Sequence, residues 1–426
     1  MNTRSIAMQA KKASILMQGV PAELKNRALE MIAMALLDRK EEILTANRED
    51  IERSTAENLA LPLIKRLRFD EQKLSDAVEG INSLIRLEDP VGRTLLAREL
   101  DEGLNLYKVS CPIGVIGIIF ESRPDALVQI STLCLKSGNA VLLKGGREAM
   151  LTNRILAQVI TEATRDAGLP EHWINLLESR EEVNEMLSLD EYIDLIIPRG
   201  SNTFVRYIME HSRIPVLGHA DGICHIYIDR NVDVKEAVDI VVDSKTQYVA
   251  VCNALETLLV HKDSARDVLP PLREALEAKS VEIRGCERTR RIIPCKPATE
   301  EDWKTEYLDY VLSIKIVDSL DDAIEHINTY GSGHTDAIVS RDEENIKRFL
   351  EYVDSANVFA NCSTRFSDGF RYGFGAEVGI STNKLHARGP VGLDGLVTYK
   401  YKLIGHGHIV ADYASNKRHF THRDLI

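Results

Sequence analysis

Cys252 closes an apolar approach, Gln247-Tyr248-Val249-Ala250-Val251-Cys252-Asn253, just before a strand-forming run at 257–261. A thiolate is a strong nucleophile, so a cysteine at the join between two folded units suits covalent catalysis, although a free cysteine is more commonly a small buried hydrophobe. Lys144 ends another apolar run and is followed by Gly145-Gly146-Arg147. A cation at the carboxyl end of a parallel strand lies on the side where open α/β sheets bind ligands, but a lone lysine there is more often a solvated loop residue. The segment Ile196-Ile197-Pro198-Arg199-Gly200-Ser201-Asn202 joins a strand to a helix. N–H groups at a helix start can hold a pyrophosphate, and a plain N-cap by Ser201 or Asn202 is the structural alternative. The dinucleotide fingerprint GxGxxG is missing, since Gly114 and Gly117 have another spacing.

These residues need a scaffold, and the hydrophobic pattern supplies one. The first ~90 residues read as helices, with Ala28, Met31, Ile32 and Leu36 on one face and Pro21 near a helix start. From Leu104 the texture turns to strands at 115–120, 140–143, 174–177 and 193–197, separated by helical stretches at 125–136 and 152–167. Such alternation implies right-handed βαβ units on a parallel sheet. A second βα series starts near Cys224, with strands at 225–228, 257–261, 313–317, 337–340 and 357–360. The glycine-rich run 369–379 reads as a surface loop and 395–404 as a late strand.

A chain of 426 residues exceeds the size at which one core keeps growing, so two or more domains are expected. With 44% hydrophobic and 28% charged residues it is an ordinary globular composition. The formal charge of −12, without long basic clusters, argues against a nucleic-acid partner. No secretory signal and no membrane-length apolar stretch is evident. Seven widely spaced cysteines without a CxxC pair disfavour a disulfide framework and a zinc site, so no metal is expected and a reducing, cytoplasmic setting is.

Taken in order, several segments resemble the gamma-glutamyl phosphate reductase family of the aldehyde dehydrogenase superfamily. They are Pro112-Ile113-Gly114-Val115-Ile116-Gly117 leading to Glu121-Ser122-Arg123-Pro124, then Leu135-Lys136-Ser137-Gly138-Asn139-Ala140, Lys144-Gly145-Gly146, Pro198-Arg199-Gly200, and Lys245-Thr246-Gln247 with Cys252-Asn253. Tyr330-Gly331-Ser332-Gly333-His334-Thr335-Asp336 resembles that family's own signature. The resemblance spans nearly the whole chain. It implies an aldehyde dehydrogenase-like α/β fold of two doubly wound domains plus a β oligomerisation extension. The expected division is a cofactor-binding domain at 1–98 and 112–222, a catalytic domain at 223–394, the extension at 99–111 and 395–410, and a tail at 411–426.

By the same resemblance Cys252 is the catalytic thiol, Lys144 contacts the adenosine ribose, Gly200 and Ser201 meet the pyrophosphate, and Glu306 holds the nicotinamide ribose. Ser122 stands where general aldehyde dehydrogenases have an oxyanion-stabilising Asn, leaving the backbone N–H of Cys252 as a donor and Ser122 and Asn253 as side-chain candidates. The run Leu217-Gly218-His219-Ala220-Asp221-Gly222 carries no Glu where those enzymes have their general base. Loss of a water-activating base suits a reductase, which must keep water from its thioester. His219, Asp221 and His225 are candidates for proton transfer. Arg123, Arg199 and Arg365 are candidates for substrate phosphate or carboxylate, with surface or structural salt bridges as the alternative for each.

The implied reaction is NADPH-dependent reduction of L-glutamyl 5-phosphate to L-glutamate 5-semialdehyde and phosphate through a Cys252 thioester, the second step from glutamate to proline. NADPH is favoured because Arg147 occupies the position, three after Lys144, where many NAD-using relatives have Glu; Glu148 comes one later. A small-molecule substrate, a homo-oligomer and a functional association with glutamate 5-kinase complete the expectation. A reductase of another semialdehyde or of an acyl-CoA, or a non-enzymic scaffold subunit, are the rival readings.

Overall fold

The computed structural model describes residues 2–218, 221–384 and 386–426. Its first unit is a four-stranded parallel sheet in the order Ile174–Leu177, Ala140–Lys144, Val115–Phe120, Leu195–Arg199. Every residue of Val115–Phe120 and of Ala140–Lys144 is buried, because helices cover both faces; such strands read as continuous apolar runs, not as alternation. Pro124–Lys136 and Met150–Ala167 are the crossovers, and Leu29, Ile32 and Leu36 of Ala22–Asp38 join the same core. The chain steps outward from Val115–Phe120 through two strands and then returns to its other side. Strand order therefore reverses between Phe120 and Arg199, which are register partners. That reversal opens a crevice at the carboxyl ends of the two strands, the usual ligand position in an open α/β sheet.

The second unit is a seven-stranded parallel sheet ordered Lys296–Pro297, Glu282–Gly285, Val311–Val317, Leu255–His261, Cys224–Ile228, Thr335–Val339, Asn357–Ala360. Successive side chains feed opposite faces. Ile226, Ile228, Leu258 and Val260 meet Val234–Thr246 and Ala265–Glu277 on one side, whereas Tyr227 and Leu259 meet Leu320–Tyr330 and Phe349 on the other.

A third, antiparallel sheet runs Val397–Ile404, Leu104–Pro112, Thr94–Asp101, Arg423–Asp424. It corrects three expectations. Thr94–Asp101 is one continuous strand, so the extension starts at Thr94 and not at 99; Glu99 pairs with Asn105 across the turn that Gly103 permits with φ +75°. The late strand starts at Val397 because Leu393–Leu396 forms a 3-10 turn. The tail adds the fourth strand, held by Arg98 to Asp424 at 2.6 Å and Arg418 to Asp101 at 3.0 Å. Elsewhere, Leu195–Arg199 lies slightly later than 193–197, and the short strands Glu282–Gly285 and Lys296–Pro297 are too brief to show a period in sequence. Among the described residues no helix is long and apolar enough to cross a membrane.

Candidate active site

The loop carrying Cys252 hangs between Val234–Thr246 and Leu255–His261, and a buried ion pair ties its two ends. Lys245 Nζ lies 2.6 Å from Glu256 Oε2, with both side chains 0% exposed. Glu256 is the extra residue of a β-bulge: Cys224 pairs with Leu255 and His225 with Thr257. A bulge re-aims a side chain, and here it turns a carboxylate out of the ladder towards Lys245. Burial pushes the Glu256 carboxyl up to about 7 against the pull of Lys245, and burial likewise draws the Lys245 ammonium down. Glu256 Oε1 also accepts from Leu308 N at 3.3 Å, where the backbone turns through φ +52°. One carboxylate thus joins the Cys252 loop to the Glu306-Tyr307-Leu308 segment.

The Cys252 peptide itself is closely boxed. A Cβ at Gly222 would fall 2.1 Å from the Cys252 carbonyl oxygen and 2.4 Å from its Cα, so only glycine lets the two backbones pass. Asn253 gives its Nδ2 to the Ser367 carbonyl at 2.8 Å, and its own carbonyl accepts from Thr364 Oγ1 at 2.7 Å. Cys252 is partly exposed, whereas Cys134 and Cys224 are buried, and burial raises both their thiols far above the ordinary range. Of these three, only Cys252 is accessible.

Two of the three candidate arginines are held inside the fold. Arg199 is partly buried at the end of its strand, and its Nη1 has no hydrogen-bond partner among the described residues. Burial and then the nearby Arg123 charge draw the Arg199 pKa down, opposed by Glu377 and Asp125. Arg365 is buried, donates its Nε to Gln247 Oε1 at 3.0 Å, and is drawn down by burial and Arg371 against Asp368 and Asp243. Arg123 is half-exposed and engages Asp125 at 3.0 Å.

The cofactor candidates divide between the switch-point crevice and its rim. Gly200 and Ser201 precede Asn202–His211; Ser201 stands at the N-cap, but its side chain does not cap. Glu121 instead accepts from Ser201 N at 3.1 Å, and a Cβ at Gly200 would meet Glu121 Oε2 at 2.6 Å. An anion already favours this backbone cradle, so it fits the pyrophosphate of a nicotinamide dinucleotide. Asn202 Nδ2 donates to Glu306 Oε2 at 2.5 Å and to Asp221 Oδ1 at 3.1 Å, which brings Glu306 from the second unit to the same crevice. Lys144 is buried at its strand end, its Nζ donating to the Gly145 carbonyl at 2.5 Å. Arg147 sits on the rim, 83% exposed and 4.0 Å from Glu57.

Other candidates are engaged elsewhere. Ser122, at φ +46°, gives both its N–H and its hydroxyl to Glu148 Oε1, at 2.6 and 2.7 Å. Asn253 commits one of its two amide hydrogens to Ser367, and Ser122 gives both of its donors to Glu148, so the backbone N–H of Cys252 stands beside the second Asn253 hydrogen as a candidate donor. His219 lies outside the described residues. Asp221 is held by Arg206 at 2.6 Å, and His225 is fully buried against Asp336 at 3.1 Å. Glu121, Asn202 and Lys245 lie in segments quoted from sequence but had no part in the chemistry assigned there, and Glu256 was not named at all. Glu256 alone carries a local signal, a carboxylate inside the apolar run Ala254-Leu255-Glu256-Thr257-Leu258-Leu259, because such a charge must find a partner.

The chain matches the aldehyde dehydrogenase family model over residues 2–289 and 297–377. It is 68% identical over 425 residues to the gamma-glutamyl phosphate reductase of Acetivibrio thermocellus, covering 100% of this chain and 99% of that one. To the enzyme of the same name from Nostoc punctiforme it is 54% identical, covering 99% and 98%. The crystal structure of gamma-glutamyl phosphate reductase from Thermotoga maritima superposes with a TM-score of 0.94 at 41% identity, over 96% of this chain and 100% of that one. An acetylating aldehyde dehydrogenase from Geobacillus thermoglucosidasius shares the fold at 17% identity and a TM-score of 0.64. This chain therefore belongs to the aldehyde dehydrogenase family of oxidoreductases and, within it, to the gamma-glutamyl phosphate reductases.

Proposed function

We propose that this enzyme reduces L-glutamyl 5-phosphate to L-glutamate 5-semialdehyde and phosphate with NADPH, through a thioester on Cys252, as the second step from glutamate to proline. The observation that carries the reading is geometric: Arg199 Nη1 is buried without a hydrogen-bond partner among the described residues, and Arg365 is buried with its Nε on Gln247, in the segment that leads to Cys252. A buried, unpaired guanidinium beside a nucleophile is costly unless an anion completes it. An acyl phosphate brings that anion to the reacting carbon.

The Cys252 thiolate attacks the acyl carbon, its electron pair forming the C–S bond while the C–O bond to phosphate breaks and phosphate leaves with that pair. Arg199 and Arg365 bind the departing anion, and the backbone N–H groups of the loop stabilise the oxyanion. Gly200, Ser201, Lys144 and Glu306 would hold NADPH, which supplies the hydride that the thioester carbon receives. The resulting thiohemiacetal collapses as the C–S bond returns its electron pair to sulfur and the aldehyde departs. Asp221, engaged by Arg206 and Asn202, is not free to activate water, which favours reduction over hydrolysis.

A homo-oligomer forms through the antiparallel sheet, whose outer strand exposes Tyr399, Tyr401, Leu403 and Ile404. The setting is the cytoplasm, consistent with seven free cysteines, and the labile acyl phosphate is received from glutamate 5-kinase. The test is phosphate-dependent reduction of NADP by glutamate 5-semialdehyde. Wild type should be active and Cys252→Ala inactive while binding NADPH within about threefold of wild type; substantial turnover by the variant would move the nucleophile elsewhere.

A further inference from the structure

The run Ser332-Gly333-His334-Thr335-Asp336 has no part in the chemistry above, yet its side chains all reach one short stretch of backbone. It leaves Leu320–Tyr330 and enters Thr335–Val339, in register with Cys224–Ile228. Ser332 Oγ accepts from Ile223 N at 2.9 Å. Asp336 Oδ1 accepts from His225 N at 2.7 Å and meets His225 Nδ1 at 3.1 Å, while its Oδ2 accepts from Ser355 Oγ at 2.5 Å. The residues on either side of Cys224 are therefore gripped by this turn. Cys224 in turn points its Sγ at the Cys252 carbonyl oxygen, 3.1 Å away, and lies 3.9 Å from His334 Nδ1. Gly222, two residues earlier, lies against the Cys252 backbone.

We propose that Cys224 is a positioning residue for the nucleophile: presented by the Ser332–Asp336 turn, its thiol donates to the Cys252 carbonyl and holds that peptide in the orientation from which the Cys252 sulfur attacks. This rests on Cys252 being the nucleophile. Cys224 is fully buried, and burial with the Asp336 charge keeps its proton on, so it is a standing donor and not a second nucleophile. The turn thereby sets the height of Cys224 beneath the loop, through contacts about one hundred residues away in sequence.

The test uses the full-length enzyme with glutamyl phosphate generated in place by a kinase, following the acyl adduct by intact mass and peptide mapping without nicotinamide. Cys224→Ala should slow acylation of Cys252 about tenfold with NADPH affinity within about twofold, as expected for loss of one hydrogen bond at the reacting peptide. Cys224→Ser, which keeps an O–H donor, should recover to within about threefold of wild type. Ser332→Ala, which leaves Cys224 intact but frees Ile223 N, should slow acylation in the same direction, by about threefold. Wild-type acylation in Cys224→Ala, or a serine variant as slow as the alanine one, overturns the proposal. An adduct that maps to a residue other than Cys252 overturns the nucleophile assignment itself, and is distinguished by its site.

Discussion

Replacing Lys245 by Met should produce a stability loss that grows with pH above neutrality. Lys245 and Glu256 are both 0% exposed and 2.6 Å apart, and removing one partner of such a pair costs about 3–5 kcal/mol when the other stays charged. Glu256 can escape by taking a proton. Its carboxyl already stands at about 7, against an ordinary 4.5, chiefly because it is buried. For an acid whose folded pKa is raised, the folded state holds the extra proton; stability then falls as pH rises from the unfolded value to the folded one, by about 1.4 kcal/mol per pH unit, and is level above it. In wild type that fall spans about 4.5 to 7. Without Lys245, which now opposes the rise, the folded value moves above 7 and the fall continues. The two proteins should thus diverge by about 1.4 kcal/mol between pH 7 and pH 8, or roughly 3–5 °C in melting temperature for a domain of this size. Differential scanning fluorimetry at a fixed scan rate, at pH 6, 7 and 8, measures it. A melting difference that is the same at all three values would refute the reasoning, since it would mean that Glu256 stays ionised or neutral throughout.

Arg199→Gln should lower kcat/KM for the acyl phosphate by about one to two decades, the worth of a charge-assisted contact, with NADPH binding little changed; steady-state kinetics would expose an Arg199 that binds only structure by an unaltered kcat/KM. Incubation with glutamyl phosphate and no nicotinamide should leave a persistent acyl adduct on Cys252, and rapid release of glutamate instead would show that His219 or Asp221 activates water. Arg147→Glu should raise the Michaelis constant for NADPH and leave that for NADH nearly unchanged. Because Arg147 is 83% exposed, solvent screening holds the effect to about tenfold, and a wild type that prefers NADH would remove Arg147 from the 2′-phosphate.

The α/β alternation, the two parallel sheets and the candidate thiol are legible in the amino-acid order, because local signals write them. Val115–Phe120 and Cys224–Ile228 are uniformly buried, so their apolar runs needed no knowledge of partners. The motifs around Cys252, Gly200 and His334 are likewise contiguous. Edges were less legible: Thr94–Asp101 is exposed at its first two residues and then mostly half-buried, with Ala97 and Asp101 buried and no two-residue period, and Arg423–Asp424 is a strand only because Arg98 and Glu99 lie beside it. Which partner each side chain meets is decided by the folded neighbourhood. Ser122 stands at the position of an oxyanion donor, yet Glu148 takes both its N–H and its hydroxyl, and Asn253 commits one amide hydrogen to the Ser367 carbonyl. Cys224 meets the Cys252 carbonyl only because the fold brings the two segments together, with Asp336, 111 positions from His225, bonded to the strand that carries Cys224. One cause is common to all of these cases. Propensity and burial pattern act over a few residues, whereas a hydrogen bond or an ion pair is chosen by whatever the fold brings within about 3 Å.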